Sequence, residues 1–129
     1  MKIIRIIPFL TILLIVLYTW VEIIAAEHIA TWRHYVALAL VLVNAALYFV
    51  RYKQALLLTG IILVLAAFNL MAFFPAITTY GLIIAGVNSP EMQMFPLLVL
   101  IVYVVINFNF LVDWRLDWKE EKARRKMQK

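Results

Sequence analysis

The sequence predicts an all-α membrane protein: four transmembrane helices in an up-down antiparallel bundle, both termini cytoplasmic. Three observations predict it. Four apolar stretches, Ile3–Ala25, Tyr35–Val50, Ala55–Phe74 and Phe95–Val112, occupy most of the 129 residues. The chain is 67% hydrophobic and only 15% charged, more apolar surface than a soluble domain of this size can bury. All but Arg33 of the 12 basic residues fall on one side if every stretch crosses. That side carries Lys2, Arg5, Arg51, Lys53 and seven tail residues, so the positive-inside bias puts it in the cytoplasm. Three or five crossings would leave a basic cluster on the wrong face. The stretches are continuous rather than alternating, which argues against a β-barrel.

The expected transmembrane domain is 1–112, with spans at about 3–25, 32–51, 54–74 and 94–112. The first span contains Pro8 about one turn in, where a missing N–H costs least. A secretory signal has an apolar core of ~7–15 residues; the uncharged run here is longer, so it is read as a retained helix. The turn Glu27–Thr31 is short, which makes the first two helices neighbours, and Thr31 is the expected N-cap of the second. Arg51–Gln54 is tighter still and joins a second hairpin. The third helix is expected to run to Pro75. Residues 76–93 hold an apolar centre between Pro75 and Asn88-Ser89-Pro90, and are too short to span. They are expected as an interfacial helix over the outer end, in preference to a pore-lining re-entrant loop. The tail 113–129 is expected to continue helically, with Glu120–Arg124 and Glu121–Arg125 as (i, i+4) pairs. Trp20, Trp32 and Tyr35 would mark the outer interface, and Tyr52, Trp114 and Trp118 the inner one.

The candidate residues are few. Polar groups inside lipid are costly, so they come first. Counted back from each helix's own cytoplasmic boundary, Thr11, Asn44, Thr59 and Asn107 fall at one depth, ~9–10 Å in. This polar intramembrane layer would either fix helix register or form a pore or substrate site, and the register reading is preferred. Asn109 points away from Asn107 towards headgroups or another subunit, and Asn69 stands in the outer half of the third helix. The outer face gathers Glu22, Glu27, His28, Arg33, His34 and Glu91. Solvated loop residues with a Glu–Arg pair are preferred there over a metal site, since the spacing fits no metal signature. No metal or cofactor is expected. Trp114, Trp118, Arg124, Arg125 and Lys126 are expected to contact anionic lipid headgroups. The tail's seven basic residues outnumber its four acidic ones, and no nucleic-acid motif accompanies them.

No Asp, Glu, Lys, Arg or His lies at the middle of a span, which argues against a proton-coupled exchanger. There is no cysteine, and the lone serine lies between Asn88 and Pro90, so no intramembrane nucleophile is apparent. The expected function is a non-enzymatic subunit or interaction partner in a membrane complex, as a homo-oligomer or with another membrane protein. The alternative is an oligomeric channel, pore or small-solute transporter, including a membrane-permeabilising effector. A lipid-modifying enzyme stands third, with Glu22, Glu27, His28 and His34 as its only candidates. A bacterial cytoplasmic membrane is the expected location.

Overall fold

The computed structural model describes residues 2–26, 29–74, 81, 83–84, 87–88 and 92–128. Helices dominate it: α1 (Lys2–Ala25), α2 (Trp32–Val50), α3 (Tyr52–Ala67) and α4 (Met94–Met127). α1, α2 and α4 are long and apolar enough to cross a membrane. α3 has 16 residues, ~24 Å at the usual rise, and falls short of a ~30 Å hydrocarbon core.

The α3 terminus corrects the expected span to Phe74. Asn69 adopts a left-handed conformation, φ 62°. Its N–H donates to the Ala66 carbonyl at 3.1 Å, and the Leu70 N–H donates to Leu65 at 2.9 Å. That is a Schellman closure, with asparagine in the place glycine usually takes. The chain then runs unwound through residues 68–74, yet Met71, Ala72 and Phe73 are buried. The hydropathy of this stretch is that of a helix, and its backbone is not helical.

The expected interfacial helix in 76–93 is also corrected where the chain is described. Ile83–Ile84 and Val87–Asn88 are β1 and β2, antiparallel, with Ile84 opposite Val87. Runs of β-branched residues favour a ladder over a helix, and two intervening residues suit a hairpin.

Contacts join the helices around one core. α3 touches α2, α4 and α1, and α1 also touches α2 and α4. Phe9, Ile12 and Val16 of α1 meet Ala37 and Val41 of α2, and Ile62, Leu63 and Ala66 of α3, in one buried cluster with Met71, Phe73 and Tyr103. The alanines let backbones approach, which is what packs helices where lipid offers no hydrophobic drive. Phe9 stacks near Tyr48, ring centroids 4.7 Å apart, and Trp20 meets Tyr35 edge-on at 5.1 Å. Away from this core the helices expose large apolar side chains, from Ile3 to Phe49 and Val105.

Only Arg51 lies between α2 and α3, and Asn44 reaches Thr59 across the turn. α4 carries on unbroken into the charged tail. Glu120 and Glu121 meet Arg124 and Arg125 one turn later, and Lys122 lies over the Trp118 ring at 5.1 Å. These exposed pairs contribute little stability, ~0.3–0.5 kcal/mol each.

Candidate functional site

Buried polar groups form two clusters. The first lies beside the Arg51 turn. Thr59 Oγ donates to the Ala55 carbonyl of its own helix at 2.9 Å. Its single hydrogen is then committed, so Tyr48, 2.9 Å away, must donate to it, as Asn44 Nδ2 does at 2.8 Å. Tyr103 of α4 donates to the Leu56 carbonyl at 2.6 Å. Gly60 makes that reach possible: a Cβ there would lie 2.9 Å from the Tyr103 ring and hydroxyl.

The expected layer is gathered only in part. Asn44 and Thr59 are bonded to each other. Thr11 is half-buried and turns back to the Ile7 carbonyl, 3.0 Å away on its own helix. Asn107 is buried, and its Nδ2 donates to the Tyr103 carbonyl at 3.1 Å. Its depth also differs. Gln93 meets Ala67 and Tyr103 meets Leu56, so α4 runs back along α3 towards the Arg51 turn. Asn107 lies a turn past Tyr103, which sets it ~10 Å along the axis from Thr59. Asn44 Oδ1 and Asn107 Oδ1 are buried and accept no hydrogen bond among the described residues.

The second cluster binds the unwound segment. Thr19 donates to the Phe73 carbonyl. Gln93 Nε2 donates to the Met71 carbonyl at 2.8 Å and to Asn69 Oδ1 at 3.0 Å, and Arg33 donates to the same oxygen at 3.1 Å. His34 Nε2 lies 2.8 Å from the Phe74 carbonyl, and the Thr31 N–H donates to His34 Nδ1 at 3.1 Å. A carbonyl can only accept and an amide can only donate, so the proton sits on Nε2. Both imidazole nitrogens are thereby used. Thr31 is the N-cap of α2, with His34 closing the capping box. Buried backbone must find hydrogen-bond partners, and these side chains supply what the helix no longer does.

Among the described outer-face candidates, Glu22 and His34 are held by different partners. Glu22 accepts from Tyr18 on the exposed side of α1, while His34 is buried beneath the α2 start. Arg33 donates to Asn69 and forms no ion pair among the described residues. Glu27, His28 and Glu91 lie outside the described residues. No group of three metal-ligating side chains occurs among the described residues. In the tail, Trp114, Trp118, Arg124, Arg125 and Lys126 are all exposed on α4.

The sequence reading missed Thr19 and Gln93, and missed what Arg33 and Asn69 do. Nothing in the sequence groups them: on the expected spans Thr19 and Asn69 lie more than a turn inside their ends, whereas Arg33 and Gln93 lie at theirs. Two apolar grooves open on the outside. One is lined by Leu57, Gly60, Ile61, Tyr103 and Trp114 between α3 and α4, about 450 Å³. The other is lined by Phe9, Leu13, Tyr48 and Phe49 between α1 and α2, about 330 Å³. Neither reaches Asn44, Thr59 or Asn107. No protein-family model matches the chain, and neither a curated protein nor a solved structure does.

Proposed function

We propose that this chain is a multi-pass membrane protein that acts by binding, as a non-enzymatic subunit or partner in a membrane complex. The carrying observation is where the buried donors point. Thr19, His34, Thr59, Gln93 and Tyr103 each give a hydrogen bond to a backbone carbonyl. A side chain spent on backbone holds the fold and is not poised for chemistry. The outward faces, by contrast, are apolar over α1, α2 and α4. The helices form an up-down antiparallel bundle of four crossings, with α3 completed by residues 68–74 and both termini in the cytoplasm. Pairing of Phe9 with Tyr48 and Trp20 with Tyr35 supports the α1–α2 part of this arrangement. The basic bias of the turn and tail supports the orientation, in the inner membrane of a bacterial cell. The tail, Trp114 and Trp118 with Arg124, Arg125 and Lys126, lies against anionic headgroups.

Mild extraction from native membranes, followed by mass spectrometry of the intact particle, tests this reading. A fixed stoichiometry with a second protein or with itself is expected. A stable monomer without any partner overturns it.

One observation favours the transport alternative. Asn44 Oδ1 and Asn107 Oδ1 are buried acceptors with no donor among the described residues, groups that a permeating polar solute would satisfy. The double variant Asn44→Leu/Asn107→Leu separates the two. A folded variant that keeps its assembly, with liposome flux no different from the parent, removes the transport reading. Loss of a measurable flux establishes it.

A further inference from the structure

We infer that a second copy of this chain docks on the outer face of α4, helix beside parallel helix, with Asn109 hydrogen-bonded to Asn109 of the copy. The inference rests on the membrane-spanning reading above, and names the partner it left open.

Leu98, Val102, Val105, Asn109, Val112 and Leu116 are all exposed, Val105 by 71% and Leu116 by 53%. They follow one another by four and three residues in turn, the spacing of a coiled-coil seam. Spacing alone decides nothing, because any lipid-facing side of a helix shows it. α1 shows it too, through Ile7, Leu10, Leu14, Leu17 and Val21, all exposed. That seam is wholly apolar, and lipid tails cover it as well as a protein would.

The α4 seam differs at two points. First, Asn109 is exposed in the middle of it, one turn before the first charged residue of α4, with no hydrogen bond among the described residues. An amide facing hydrocarbon gains from a partner amide, and a single asparagine in a seam fixes both register and helix number. Copies in one membrane share their orientation, so a two-fold axis along the membrane normal brings equal depths together. Only a copy is certain to offer an asparagine at that depth. Second, the charges beside the seam complement each other. With Asn109 at a core position, Arg115 and Glu120 occupy the two flanking positions that meet across a parallel pair. Each dimer would hold that Arg–Glu contact twice. The next seam position is Lys119, so the apolar part of the seam ends at Leu116 and the Arg115–Glu120 contacts close it.

The chain has no cysteine, which allows a clean test in native membranes with the full-length protein. Val112→Cys and Leu116→Cys should crosslink to themselves with a short thiol reagent. Trp114→Cys, on the other side of α4, and Leu14→Cys on the α1 seam should stay at least fivefold lower. Adding Asn109→Leu should cut the Val112→Cys yield severalfold. Arg115→Glu should lower it as well, and Arg115→Glu with Glu120→Arg should restore it, which a folding defect would not. Equal yields at all four sites, no adducts, or adducts to a different protein alone overturn the inference. Carbonate extraction of the same membranes separates the two failures. A chain released by carbonate sinks the membrane-spanning reading, whereas a retained chain without seam adducts sinks only the copy.

Discussion

Gly60 and Tyr103 illustrate how one missing side chain fixes a contact. The Tyr103 hydroxyl reaches the Leu56 carbonyl only because nothing projects from Gly60. Gly60→Ala should displace the ring and break that bond. A loss of ~1–3 kcal/mol is expected, of the size that overpacking costs. Reversible unfolding in detergent measures it. Adding Tyr103→Phe should cost less than the two single changes summed, since both remove one bond. Nothing in a single sequence marks Gly60 for this role. The buried asparagines were legible, because a polar residue in an apolar run stands out. Their relative depth was not. Each helix's own charges mark only its own boundary, whereas register is set by pairs such as Tyr103–Leu56 and Gln93–Ala67.

At the scale of an element, the end of α3 is governed by Asn69. Two properties are combined there: a backbone in the left-handed region and an Oδ1 that accepts from Arg33 and Gln93. The substitutions Asn69→Gly and Asn69→Ala separate them. Both lose the acceptor, but only alanine also bears the left-handed penalty, ~1–2 kcal/mol. Asn69→Ala should therefore be the less stable of the two by about that amount, read as a lower midpoint in the same unfolding series. Equal midpoints would mean that the conformation at Asn69 is not what ends the helix. Hydropathy could not locate this end. Leu70–Phe74 is apolar, and a buried unwound segment has the same composition as a buried helix. What distinguishes it is the set of donors around it, and Thr19, His34 and Gln93 are far apart in sequence.

Over the whole molecule, the number of helices was the most legible property. Length and continuity of apolar runs depend on local composition, and α1, α2 and α4 begin and end close to where the sequence places them. The connection 76–93 was not legible. Its apolar centre fits a short helix as well as the β1–β2 ladder, and no periodicity of that length chooses between them. Sidedness is open to direct measurement because there is no native thiol. Single cysteines at Lys53 and Lys122 should react with an impermeant reagent only after the inner face is opened, and one at Ala30 should react in intact cells. Labelling of Ala30→Cys and Lys53→Cys from the same side would contradict a crossing by α2.

The single non-helical residue between α2 and α3 has a consequence for how the chain is made. With only Arg51 to turn on, an α2 inserted ahead of α3 would leave Asn44 without Thr59, its partner across the turn. Residues 32–67 should leave the insertion machinery together, as one prefolded hairpin with its polar pair already closed. Lengthening the turn at Arg51 with a flexible insert would let the two helices insert separately. It would expose Asn44 to lipid during synthesis and make the nascent chain a target for membrane quality control.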